Sequence, residues 1–194
     1  MAFSFVKKNI GIDLGTSNTL LFLEGSGIVI DEPSFIAKNI VDNEVIAVGK
    51  PAENMFEKNP PTIATIRPLR KGVISDLDST IIMLKYFLSV VYSNRIGRPT
   101  AVIGVPSGVT EVERRAVRDA VQSAGAGKVY IIDETIAAAV GAGLPAYDAP
   151  GTMVVDLGGG TVDIAAISLG KPNSSNSITY GGDAMNEAIK NMVD

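Results

Sequence analysis

Histidine, cysteine and tryptophan are all absent from this 194-residue sequence. Without histidine or cysteine there is no Ser-His-Asp triad, no thiol nucleophile, no zinc finger and no haem ligation by the usual groups. A bound metal must then be a hard cation held by oxygen. No disulfide can form, so nothing points to an oxidising compartment. Positive charge is also scarce. The 17 Lys+Arg stand against 21 Asp+Glu, a net charge of −4, and this leaves no basic footprint for nucleic acid. Long apolar runs are missing too. The most apolar stretch, Ile81 to Tyr92, is broken by Lys85 and Ser89 and falls far short of the roughly 20 residues a bilayer span requires. The start, Met1 to Lys8, is apolar but has no signal-peptide h-region or cleavage site. It reads as a frayed first strand, with a weak membrane-surface anchor as the other reading.

What is present suits a folded chain: 46% hydrophobic and 20% charged residues, enough for a real core in one or two domains. Asn9 to Leu23 reads as a β-hairpin around Gly15-Thr16-Ser17-Asn18, and Ser34 to Val48 as a strand pair turning at Asp42-Asn43. Pro51 opens a short helix, Ala52 to Lys58, and Pro68 and Gly72 punctuate the next loop. Ser75 and Asp78 form a capping pair for a helix from Asp76 to about Ser93, which is apolar nearly all round and so expected to be buried. Ala101 to Val105 is a strand. Thr110-Glu111-Val112-Glu113 is a capping box, and the helix it opens sets Val112, Ala116, Val117, Ala120, Val121 and Ala124 on one stripe before Gly125. Val129 to Ile132 reads as a strand, Glu134 to Gly141 as an Ala-rich helix, and Asp183 to Val193 as a last helix. Met153 to Asp156 and Asp163 to Ser168 flank a second glycine-rich hairpin. This order predicts an α/β fold with a mixed sheet flanked by helices.

A self-similarity carries the chemistry. Ile12-Asp13-Leu14-Gly15-Thr16 recurs as Val155-Asp156-Leu157-Gly158-Gly159, 143 residues later. One Asp-Leu-Gly turn is an ordinary hairpin; two in matching strand contexts suggest two similar units facing each other across a cleft. Gly15, Gly158, Gly159 and Gly160 let backbone amides approach an anion closely. Thr16, Ser17, Asn18 and Thr161 add side-chain donors. Asp13 and Asp156 repel phosphate, and they make sense if they face a Mg²⁺ that bridges the phosphates, mostly through water. No P-loop sequence is present.

On these residues the chain resembles a known superfamily. Ile10-Gly11-Ile12-Asp13-Leu14-Gly15-Thr16-Ser17-Asn18-Thr19 is similar to the first phosphate loop of actin-like ATPases, and Val154-Val155-Asp156-Leu157-Gly158-Gly159-Gly160-Thr161 to the second. The run Asp133 to Pro145 resembles the helix that connects them. Arg67-Pro68-Leu69-Arg70-Lys71-Gly72-Val73-Ile74 and the run Val102 to Ala116 narrow the resemblance to the MreB-type bacterial actins.

The resemblance implies an actin-like (ribonuclease H-like) fold and a filament-forming cytoskeletal ATPase that acts in cell shape, binds ATP and Mg²⁺, and works in the cytoplasm beneath the membrane. It implies a first domain over residues 1–147, with a large subdomain of 1–32 and 66–147 and a small one of 33–65. Residues 148–194 would begin a second domain whose remainder lies beyond this sequence. By the same resemblance, Glu134 and Thr161 are the catalytic candidates that orient the attacking water; read alone, Glu134 is a helix-start carboxylate favoured by the dipole. Thr135 stands where the family would have proline, and Val162 and Asp163 where it usually has Thr and Glu. A chaperone or a small-molecule kinase of the same superfamily is the alternative. The expected partners are further copies of the chain, with no nucleic acid. A membrane surface is a further candidate through Arg95, Ile96 and Arg98, a segment that reads equally as a solvated turn.

Overall fold

A computed structural model describes residues 9–92 and 97–193. The reading of Met1 to Lys8 as a frayed strand lies outside the described residues, as do Arg95 and Ile96; Arg98 is described and exposed.

The chain opens with β1 (Asn9–Leu14), β2 (Asn18–Leu23) and β3 (Gly27–Pro33), an antiparallel meander, followed by β4 (Ile36–Asn39), β5 (Val45–Val48), α1 (Lys50–Met55) and β6 (Ile63–Ile66). A two-residue hairpin, β7 (Leu69–Arg70) and β8 (Val73–Ile74), leads to α2 (Leu77–Tyr92). Then come β9 (Thr100–Val105), α3 (Glu111–Ser123), β10 (Lys128–Asp133) and α4 (Glu134–Gly141). The last part holds β11 (Thr152–Leu157), β12 (Val162–Ser168), β13 (Lys171–Ile178) and α5 (Gly182–Val193).

The central sheet is mixed, in the order β10-β9-β1-β2-β3, with β9 parallel to both β1 and β10. Two smaller sheets are antiparallel, β5-β4-β6 and β11-β12-β13. Alternation decides what each face of the central sheet does. Ile10, Ile12, Leu14, Leu21, Leu23, Ala101 and Ile103 point to one side and are buried beneath Met83, Leu84, Phe87 and Leu88 of α2 and Ala120 and Val121 of α3. Gly11, Asp13, Leu20, Phe22, Val102 and Gly104 therefore point to the other side, where they line a cleft. A smaller core joins Ala139 of α4 to Val154, Ala165 and Ile167 of the β11-β12 hairpin.

Several sequence expectations are refined. Asp76, rather than Ser75, caps α2: its carboxylate accepts from the Ser79 amide at 3.0 Å and from the Ser79 hydroxyl at 2.6 Å. The Ser75 hydroxyl instead donates to the Pro68 carbonyl at 3.0 Å. α2 is not buried all round, since Tyr86 and Val90 face solvent; only the stripe on the sheet needs to be dry. Val112 is likewise exposed, because at the second position of α3 it precedes the turn that reaches the sheet. Strands β3 and β13 had no counterpart in the sequence reading. The first has its turn at Gly25 and Gly27, both at positive φ, and the second is polar, Lys171-Pro172-Asn173-Ser174-Ser175-Asn176-Ser177-Ile178, a composition that masks an edge strand.

Candidate functional site: an acidic cleft between two matching turns

The two Asp-Leu-Gly turns are repeats in hydrogen bonding as well as in sequence. The Gly15 amide donates to the Asn18 carbonyl at 3.0 Å, and 143 residues on, the Gly158 amide donates to the Thr161 carbonyl at 2.9 Å. Pairing across the strands repeats in the same register: Asp13 opposes Leu20 and Asp156 opposes Asp163. A Cβ on Gly15 would fall 2.7 Å from the Asn18 carbonyl oxygen, so this turn admits only glycine there.

Each turn is braced from outside. Ser34 holds the first, its amide donating to the Ser17 carbonyl at 2.8 Å and its hydroxyl to the Gly15 carbonyl at 2.7 Å. The first residues of α5 hold the second: the Gly182 amide donates to the Gly158 carbonyl at 3.0 Å, and the Asp183 amide to the Gly159 carbonyl at 2.9 Å. The turns meet at their tips. A Cβ on Gly159 would fall on the Ser17 side chain, and one on Gly160 would lie 2.9 Å from the Gly72 amide nitrogen. The Thr16 hydroxyl accepts from that Gly72 amide at 3.0 Å, which leaves its own proton free to donate. Asn18 is engaged elsewhere, its side-chain amide donating to Asp31 at 3.0 Å.

Together the turns border a cleft of about 660 Å³. Asp13, Gly15, Thr16, Ser17, Asn18, Glu134, Asp156, Gly158, Gly159, Gly160 and Thr161, all the residues singled out from sequence as catalytic, nucleotide-contacting or metal-facing, line it. Asp163 lines it as well and was not among them. Its signal was there: it is as far after the second turn as Asp156 is before it, so the hairpin must pair the two.

Glu134 sits at the first position of α4. Asp133 caps that helix, accepting from the Thr135 amide at 3.0 Å, the Thr135 hydroxyl at 2.6 Å and the Ser107 hydroxyl at 2.8 Å. Thr135 thus supplies two bonds where proline would supply none from its nitrogen. Glu134 also lies against Gly104, where a Cβ would come within 2.9 Å of its Cγ.

The electrostatics are one-sided. Burial pushes the Glu134 carboxyl up to about 8, and Asp13, Asp163, Asp156 and Asp133 add to the shift. Asp13 is raised by burial and then by Asp156, and Asp156 by burial and then by Asp163. Asp163 is almost fully buried and its Oδ1 has no hydrogen-bond partner. Such a cluster is unfavourable until positive charge enters it. Among the described residues, no three carboxylates are near enough to ligate a metal directly. The donor set therefore fits a hydrated Mg²⁺ completed by phosphate oxygens rather than a cage of protein ligands. No described helix is long and apolar enough to cross a membrane.

The fold and the paired turns define an actin-like protein. MreB5 of Spiroplasma citri bound to ADP superimposes with a TM-score of 0.90 at 36% identity, covering 98% of this chain and 57% of that one. The same protein bound to AMPPNP gives a TM-score of 0.89. The MamK double helical filament, at 21% identity and a TM-score of 0.81, shares the fold. The family described as MreB/Mbl protein matches residues 7–194, and the chain belongs to it. The cell shape-determining protein MreB of Escherichia coli K12 is 47% identical over 191 residues, 95% of this chain and 55% of that protein. The cell shape-determining protein Mbl of Bacillus subtilis is 41% identical over 187 residues. The chain spans about 55% of the length of these curated relatives.

Proposed function

We propose that this chain carries the phosphate-clamping part of an ATP-dependent bacterial cytoskeletal protein. It would assemble with copies of itself into filaments that act in cell shape, in the cytoplasm beneath the membrane. The observation that carries this reading is the repeated turn, two loops of matched hydrogen bonding that face each other over one acidic cleft. Nucleotides bound to a structural neighbour at 36% identity support ATP as the ligand. Membership in the MreB/Mbl family supports the filament over the chaperone and kinase readings.

In this reading Gly15, Thr16, Ser17 and Asn18 take the phosphates from one side, and Gly158, Gly159, Gly160 and Thr161 from the other. Asp13 and Asp156 hold the waters of a Mg²⁺, which when bound neutralises phosphate charge. Glu134 accepts a hydrogen bond from the attacking water and Thr161 fixes that water from the opposite loop. Asp163 is added to the acidic set, supporting the hydrated cation beside Asp156. The domain division is 1–147, with a small subdomain of 33–65, and 148–194. Arg98 would meet anionic lipid together with Arg95 and Ile96.

Calorimetric titration of the full-length protein with Mg-ATP tests the clamp. Asp13→Ala and Asp156→Ala are each expected to weaken binding about 10–100-fold, as loss of outer-sphere metal partners does. Glu134→Ala and Thr161→Ala should instead lower single-turnover hydrolysis by about 10²–10³ with little change in affinity. Unchanged affinity in both aspartate variants would sink the clamp. Failure of the parent to sediment on ATP addition would sink the filament.

A further inference from the structure

The two phosphate turns touch through backbone and small side chains, and one ion pair also ties their supports together. Arg67 follows β6, and its Nη2 reaches Asp183 at 3.1 Å. The same nitrogen lies 3.4 Å from the Thr16 carbonyl and 3.5 Å from the Ser17 hydroxyl, both in the first turn. Asp183 in turn donates its amide to the Gly159 carbonyl of the second turn. The guanidinium also lies over Phe35, its Cζ 5.3 Å from the ring centroid, a cation–π contact that helps to aim it.

We propose that Arg67 and Asp183 are positioning residues that set the separation of the two phosphate turns, a latch that neither touches the reacting atoms nor merely fills the core. This rests on the nucleotide-clamp reading above. Four features favour a latch over a static brace. The pair bridges segments 116 residues apart, the end of β6 and the start of α5. Its bonds are unequal, short to Asp183 and long to the first turn, so the guanidinium has room to tighten on that turn as phosphates draw the two together. Its Nε is buried with no partner, a donor still unspent. Both side chains are partly exposed, at 26% and 40%, so the pair can open without a large desolvation barrier and salt can screen it.

The test uses the full-length protein, with spin labels on Arg118→Cys and Lys190→Cys. These 194 residues hold no cysteine, any cysteine elsewhere in the full-length protein is first replaced by serine, and both label sites are exposed. In the parent, raising salt is expected to broaden the distance between labels, and Mg-AMPPNP to narrow it. Asp183→Asn and Arg67→Gln should broaden it at low salt, abolish the salt response and speed nucleotide release about two- to fivefold, the range an exposed pair supports. Arg67→Lys should restore part of the effect. The double variant should be no worse than either single one, since both remove the same contact. Distances, salt response and release rates equal to the parent in Asp183→Asn, whose shape is conserved, would overturn the latch whether or not Arg67→Gln folds. Failure of the parent itself to bind Mg-AMPPNP would instead overturn the clamp reading, and the nucleotide-free distances would still judge the latch.

Discussion

At the residue scale, the acidic cleft makes pH a direct probe. The Glu134 carboxyl ionises near 4.5 in an unfolded chain and near 8 in the folded one. Between those values the native state holds the extra proton, so stability falls as pH rises through that window. Asp13 and Asp156, also raised, act with the same sign. Denaturant melts of the nucleotide-free protein from pH 4.5 to 8.5 should show this decline, and Glu134→Gln should flatten it and be the more stable form above pH 8. Superimposable profiles would remove Glu134 from the cluster. Entry of a hydrated Mg²⁺ with its nucleotide should expel protons at pH 7, seen as a calorimetric enthalpy that varies with the buffer; Glu134→Gln should release fewer. Gly104→Ala probes the same carboxylate sterically. Its Cβ would press on the Glu134 Cγ, and Gly104 has no positive φ to strain the backbone. Hydrolysis should fall about tenfold or more while affinity holds, and equal rates would show that Glu134 has slack. The glycines, Asp13 and Asp156 stood out by type and spacing, whereas Glu134 entered only through the family resemblance, since read alone it is a helix-start carboxylate. Asp163 was noted only as a family departure, although its spacing from the second turn already pairs it with Asp156.

At the element scale, helices with side-chain caps were read well and unpatterned strands were not. The Thr110 box forms as expected: the Thr110 amide donates to Glu113 at 2.8 Å and the Glu113 amide to the Thr110 hydroxyl at 3.3 Å. The Thr110 amide and the Thr110 hydroxyl, both donating to it, hold the Glu113 carboxyl below its usual value. Thr110→Ala should cost about 1 kcal/mol and leave nucleotide affinity unchanged, since α3 packs on the sheet face away from the cleft; a loss of affinity would link α3 to the site. The helix α4 matched its expected bounds, Glu134 to Gly141. Its N-cap, Asp133, is what aims Glu134, and that role appears only when Ser107 and Thr135 are seen to converge on it. Strand β13 stayed hidden because serine and asparagine fill it, and β3 because its inward residues sit at a sheet edge, where burial is incomplete.

At the scale of the whole molecule, the apolar surface left uncovered sets the last expectation. On the central sheet Phe22, Ile28, Val102 and Tyr130 are exposed on the side away from α2 and α3. On the other unit, Met153, Val155 and Leu157 are exposed on the face of β11 away from α4. Met185, Ile189, Met192 and Val193 of α5 are exposed as well. Alternation explains why each face is apolar: strands dry on both sides read as near-continuous hydrophobic runs, such as Thr152-Met153-Val154-Val155, and the sequence carries them. Surfaces of this kind on a polypeptide of 194 residues favour self-association. Residues 1–194 expressed alone should therefore bind a hydrophobic dye strongly and aggregate at micromolar concentration. Such a polypeptide should turn over Mg-ATP poorly despite holding both proposed phosphate turns, because aggregation through these faces would block the cleft that the turns border. Polar substitution on one face, Met153→Lys with Val155→Thr, should reduce dye binding without disturbing the turns, because neither residue lines the cleft. A monodisperse, dye-negative 194-residue polypeptide with full ATP turnover would show that these faces need no cover and that the phosphate turns suffice for hydrolysis.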